Sequence, residues 1–143
     1  HKGHYQSLVK GLCPPTDRAL SALVEDLSER GLLDETLVAC LAEFGRTPKL
    51  GQVTSSAGAT PDGRDHWPRG LSCLVGGGGL AAGRVLGATD PTGKKRQPEQ
   101  PIQIADLYAT VLTRMGIQPG KEVITPIGRP MAFCEGSPIP GLL

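Results

Sequence analysis

The sequence predicts an α/β fold, a mainly parallel sheet flanked by helices. Three observations carry that expectation. An amphipathic helical pattern is followed at once by an apolar run without alternation, as expected of a strand buried on both faces of a parallel sheet. Two further apolar runs come next, separated by a stretch of four glycines. A second amphipathic helix then completes the alternation of helix and strand that defines the class. At 143 residues the chain suits one ordinary domain, burying roughly two-thirds of its unfolded surface.

The first helix is expected from Thr16 to Arg30, where Leu20, Leu23, Val24 and Leu27 recur at helical spacing and charges hold the other face. Thr16 is placed to cap it after Pro14 and Pro15, Asp17 suits the positive end of the helix dipole, and Gly31 is the stop. Thr36 to Ala42 is the first strand, Leu71 to Val75 the second and Arg84 to Ala88 a weaker third, with Gly76 to Gly79 turning the chain between the last two. The second helix covers Ile104 to Met115: Ile104, Leu107, Tyr108, Val111, Leu112 and Met115 share a face, and Gly116 ends it. From about residue 117 a loop-rich tail allows short extended pieces around Glu122 to Ile127 and Met131 to Phe133. No internal repeat is present, and residues 1–143 read as one domain.

Composition excludes several classes. Hydrophobic residues at 38% and charged ones at 20% describe a globular chain, while 20 Gly and 13 Pro predict much loop. Two Phe, two Tyr and one Trp leave the core to aliphatic residues and supply almost no platforms for stacking bases, which argues against nucleic acid. Net charge is +1, and the basic run Lys94-Lys95-Arg96 reads as a solvated loop tip. No stretch approaches the roughly 18 apolar residues of a membrane span. The N-terminus lacks the order of a signal peptide, which leaves open that one was removed. Cys13, Cys40, Cys73 and Cys134 form no close pair, so neither a zinc ribbon nor a thioredoxin-like site is indicated. Their even number does not establish disulfides. Cys40 and Cys73 lie in apolar runs and are expected to be small buried hydrophobes.

Chemistry is expected beyond the strand ends, where loops of an open parallel sheet form a crevice. Glu43 follows the first strand and suits a metal ligand held by a rigid element; Arg46 offers a planar fork for an oxyanion, and Gly45 lets the backbone turn between them. The alternative is a solvated strand end with Glu43 paired to Arg46. The loop Gly63 to Pro68 combines Arg64, Asp65, His66 and the chain's only Trp. His66 suits zinc or a similar divalent ion, Asp65 either ligates or orients an imidazole, and Trp67 walls the site. Against this stands a turn aspartate with Trp67 as a packing anchor. His1 and His4 have the spacing of one helix face, yet Gly3 and the chain terminus argue against a helix there. Gly76 to Gly79 lacks the Gly-Lys-Ser/Thr of a phosphate loop and has no amphipathic helix opening after it, so it reads as a tight turn.

In order along the chain, Pro14 to Leu20, Arg30 to Val38, Glu43 to Pro48, Gly63 to Pro68, Gly76 to Gly79, Gly87 to Asp90, Ala105 to Leu107 and Gly128 to Pro130 resemble the bacterial family known as domain of unknown function 1501. The likeness spans nearly the whole chain. It implies the alkaline phosphatase/sulfatase superfamily, whose members cleave phosphate or sulfate esters at a metal centre beside a central sheet. The chain would then be the C-terminal portion of such a domain, with the nucleophile upstream. The resemblance makes His1 the histidine of a Trp-Asp-x-His segment and a metal ligand, Glu43 a substitute for an aspartate ligand, and His66 a later histidine ligand. Phe44 departs from the Asp-His pair of many superfamily members and removes one nitrogen ligand. Arg46 or Arg64 would clamp the anion.

Zinc, calcium or magnesium would be the cofactor, and an anionic ester such as a sulfated or phosphorylated glycan the substrate. Export to the periplasm or beyond follows from the signals the family generally carries. A non-catalytic relative that binds anionic glycans or a protein is the competing expectation. A partial sheet also implies exposed strand edges, hence a homo-oligomer, aggregation or a missing N-terminal portion. The geometric expectation beneath all of this is that Glu43 and His66 meet at one cation.

Overall fold

The computed structural model describes residues 1–90 and 99–143; the basic run Lys94-Lys95-Arg96 lies outside them. A helix α1, His4–Gln6, passes through a π-helical segment, Ser7–Leu12, into α2, Cys13–Glu29. The backbone stays right-handed helical at both joins, so helix begins a dozen residues before Thr16. Thr16 therefore caps nothing: its Oγ1 donates to the Leu12 carbonyl at 2.8 Å, one turn back. Pro14 and Pro15 do not block the helix, because they sit in the first turn of α2 and the turn before them is wound more widely, with the Cys13 N–H reaching Leu8 O. Gly31 does end the helix. With φ of 67° it lets the Leu32 N–H reach Leu27 O at 2.8 Å and its own N–H reach Ser28 O at 3.0 Å, the double bond of a Schellman stop.

The strands are β1 Leu37–Cys40, β2 Gly45–Arg46, β3 His66–Trp67, β4 Leu74–Gly77, β5 Glu122–Ile124 and β6 Pro130–Ala132. Among the described residues they form three antiparallel pairs, β1 with β4, β2 with β3 and β5 with β6. In the first pair Leu37 lies opposite Gly77 and Cys40 opposite Leu74. Leu37 and Val38 are half-buried, but Ala39 and Cys40 are exposed. The expectation of buried cysteines is thus corrected, since Cys40 and Cys73 are both exposed. An open groove lined by Pro15, Thr16, Ala19, Leu20, Leu23 and Cys40 lies between α2 and the end of β1, so no packed layer among the described residues covers that end.

Two strand expectations also shift. The second strand begins at Leu74 and runs into the glycines, because Gly78 N–H bonds Leu33 O at 2.8 Å and docks the strand on the loop after α2. Any side chain at Gly77 would collide with the Thr36 carbonyl, so the glycines permit this approach. The third expected strand, 84–88, does not form: Ala88 makes a single bridge to Glu99, and Val85 is 93% exposed. Apart from that bridge no strand among the described residues pairs with the segment to satisfy its backbone groups.

The second helix appears as expected, as α3, Ile104–Arg114, with a second Schellman stop at Gly116, whose φ is 74°. Its start is tied by the Gln103 N–H donating to Asp106 Oδ2 at 3.2 Å. The expected extended pieces of the tail pair as the β5–β6 hairpin, closed where Thr125 Oγ1 both donates to Arg129 O and accepts its N–H. The tail then folds over α3: Ser137 N–H bonds Asp106 Oδ1 at 3.0 Å, and Ile139 N–H bonds the buried Thr110 hydroxyl at 2.9 Å. Ala109, Ile139 and Leu142 are the buried hydrophobic residues among those described, so this clasp is the core.

Candidate functional site

The site is assembled on the short β2–β3 ribbon. Arg46 lies directly opposite His66, which puts both side chains on one face. Trp67, the next residue along the strand, takes the other face and is half-buried there. It therefore lies off the face that carries Arg46 and His66. The ribbon is tight because Gly45 has no side chain; a methyl there would overlap the Gly70 carbonyl. Beyond it, Thr47 N–H bonds Asp65 O at 3.0 Å and Asp65 N–H bonds Thr47 Oγ1 at 3.1 Å, with both residues fully buried.

The Asp65 carboxylate is enclosed by donors. Oδ2 accepts the Thr54 and Ser55 N–H groups, each at 2.7 Å, and Oδ1 accepts the Ser55 hydroxyl at 2.6 Å and the His66 N–H at 2.8 Å. Burial works against the charge, but these bonds, led by the Ser55 hydroxyl, outweigh it and hold the carboxyl well below the usual carboxylate range. An ionised carboxylate has about four acceptor sites, and here they are taken. Of the two roles left open for Asp65, the geometry favours orienting a neighbour over direct ligation.

That neighbour is His1. Its Nδ1 lies 2.7 Å from Gly58 O and 3.4 Å from Asp65 Oδ1. A carbonyl only accepts, so Nδ1 carries the proton and Nε2 presents a lone pair. Arg46 Nη1 points at that lone pair from 3.4 Å and also approaches Arg64 O at 3.5 Å. The His1 carbonyl is fixed by the Thr60 N–H and hydroxyl, at 3.1 and 3.2 Å, beside Gly63, where any side chain would overlap it. The His1 and His66 rings stand 4.5 Å apart at 60°. Ligand atoms of His1, Asp65 and His66 all lie within 4.8 Å of one another, which makes these three the candidate metal group among the described residues.

Glu43 is not among the three. It is exposed on a bend beyond β1, and Phe44 instead meets the His66 ring, with centroids 4.2 Å apart. The expected junction of Glu43 with His66 gives way to one of His1, Asp65 and His66, because the chain bends after Cys40 and turns Phe44 inward. Arg46 lies exposed with its guanidinium carbon 5.8 Å from the Phe44 ring centre. Arg64 is half-buried, and its Nε is buried without a hydrogen-bond partner. His4 belongs to the same neighbourhood: burial first, then the charges of Arg64, the terminal amine and Arg46, hold its pKa below the ordinary imidazole value. Thr47, Thr54, Ser55 and Gly58 were not singled out from the sequence. The one trace of them is the run of small hydroxyl and glycine residues from Thr54 to Thr60, ahead of the Asp65 loop.

Fold and site together bring two imidazoles beside a buried carboxylate that lies 3.4 Å from the His1 ring, with Arg46 and Arg64 close by. The family of proteins of unknown function DUF1501 matches residues 1–143, and the chain belongs to that family. No curated protein and no solved structure matches it.

Proposed function

We propose that the chain forms the C-terminal part of a metal-dependent hydrolase of phosphate or sulfate esters, of the alkaline phosphatase/sulfatase type. In that reading the three antiparallel pairs belong to a larger, mainly parallel sheet, and the intact protein is exported. The observation that carries the proposal is the meeting of the His1 and His66 imidazoles, ring centres 4.5 Å apart, with the buried Asp65 carboxylate behind His1 and Arg46 opposite His66 on the same ribbon face.

The donor chemistry fits a divalent ion. Nδ1 of His1 is committed to Gly58 O, with Asp65 behind it, which leaves Nε2 as a fixed nitrogen donor of the carboxylate-backed kind common in metal sites. His66 supplies a second imidazole. Two imidazoles favour zinc over calcium or magnesium. A divalent ion bound there would supply Lewis-acid polarisation of an ester P–O or S–O bond. Arg46 and Arg64 carry planar forks that match the oxygens of a phosphoryl or sulfuryl group and would stabilise charge developing on them. The nucleophile and further ligands come from elsewhere in the protein in this reading, and an anionic glycan ester is the substrate class.

The test is metal analysis of the purified protein, together with turnover of chromogenic aryl phosphate and aryl sulfate. Bound metal that is lost in His1→Ala and His66→Ala, with loss of turnover, supports the hydrolase. A second reading, a non-catalytic binder of anionic glycans or of a protein, is favoured by two features: Phe44 packed on His66, and Asp65 with its acceptor sites filled. A metal-free protein that binds sulfate but turns over neither ester would establish that reading instead.

A further inference from the structure

We infer that Arg46 acts as a stand-in cation at the His1 nitrogen, so that cation and anion bind the site cooperatively. This rests on the metal site proposed above. Three observations carry it. His1 Nε2 is the one ring nitrogen of that residue left with a lone pair, because Nδ1 donates to Gly58 O at 2.7 Å. Arg46 Nη1 occupies the direction of that lone pair at 3.4 Å. Arg46 is nevertheless exposed and loosely held: its other polar contact, to Arg64 O, is 3.5 Å long, and no carboxylate is paired with it among the ion pairs of the described residues.

A guanidinium and a divalent cation cannot share one lone pair, and their like charges repel at this distance. Metal binding therefore requires Arg46 to leave. An oxyanion gives it a better partner, since the fork pairs with two oxygens at once, whereas Nε2 accepts a single bond. Sulfate or a phosphate ester would draw Arg46 off His1 and free the nitrogen, and the bound metal would in turn attract the anion. The two affinities must rise by the same factor, because coupling free energy is reciprocal. Arg46 is on this account a positioning residue that keeps the site closed to metal until an anionic group arrives.

Calorimetric titration of zinc into the protein, in sodium sulfate or in sodium chloride of matched ionic strength, tests the coupling. Wild-type protein is expected to bind zinc more tightly in sulfate, by roughly fivefold or more, in the usual range of coupling between sites. Arg46→Ala should bind zinc more tightly than wild type in chloride and lose the sulfate effect. Arg46→Lys, which keeps the charge without the fork, should show a reduced effect, and equal melting temperatures would show that all three proteins are folded. Zinc affinity that is the same in every protein and both salts overturns the coupling and leaves the metal site standing, as does a sulfate effect that survives in Arg46→Ala. Absence of zinc binding throughout overturns the coupling and the proposed hydrolase together.

Discussion

Asp65 shows how a single buried carboxylate ties stability to pH. Its carboxyl is held below the usual range by the Ser55 hydroxyl and three backbone N–H groups, against the opposing effect of burial. A carboxylate whose pKa is depressed on folding contributes stability that is in place above the unfolded pKa of about 3.9 and is lost as pH falls below it toward the folded value. Asp65→Asn should therefore melt at a lower temperature than wild type at neutral pH, with the gap closing as the solution is acidified below about pH 4. Thermal melts of both proteins across that range check it; a gap independent of pH would show that the charge of Asp65 does not matter. The same substitution should loosen His1, whose Nδ1 lies 3.4 Å from the carboxylate.

At the scale of elements, the site depends on close backbone approach more than on regular structure. Gly63 lies against the His1 carbonyl, so Gly63→Ala should push the first residue off the ribbon. Under the proposed metal reading the expected result is loss of metal binding with α2 and α3 intact, read by metal analysis beside circular dichroism. Gly31→Ala has open space around it and costs only its left-handed backbone, about 1–2 kcal/mol, so it should leave the site alone. The clasp between α3 and the tail is the other critical element. Thr110 is 1% exposed and its hydroxyl donates to Asp106 O at 2.7 Å while accepting the Ile139 N–H at 2.9 Å. Thr110→Val keeps the shape but strands that buried N–H, and should lower stability by about 1–3 kcal/mol. Chemical denaturation measures the loss, and hydrogen exchange should show the Ile139 amide losing protection first.

The molecule as a whole exposes far more surface than its mass requires. Its accessible area is 10418 Å² at 15.0 kDa, where a compact monomer of that mass has roughly 7,000 Å². Leu41, Leu74 and Leu23 are 59%, 50% and 47% exposed around the open end of the β1–β4 pair, and both outer edges of that pair lack a strand among the described residues. Light scattering of this chain alone should accordingly give a mass above that of one copy, or progressive aggregation, and a stable monodisperse monomer would contradict it.

Local patterns alone determined much of the frame. Leu20 through Leu27 and Ile104 through Met115 carry helical periodicity that needs no partner to be read, and Gly31 and Gly116 stop those helices by a backbone conformation that glycine adopts without strain. The short extended pieces of the tail and the apolar run of the first strand were legible too, though not their pairing, as was the density of chemistry around Arg64, Asp65 and His66. What needed tertiary structure was everything decided by a distant neighbour. His1 enters the site only because Thr60 and Gly58 hold it from 57 or more residues away, whereas Glu43, equally plausible as a ligand by position, faces solvent. Thr54 and Ser55 fill the Asp65 oxygens from another segment, and Cys40 and Cys73 are exposed rather than buried at one end of the β1–β4 pair. Periodicity records which face of a segment is apolar, but ligand geometry and burial are set by contacts between segments, and a linear pattern does not encode those distances.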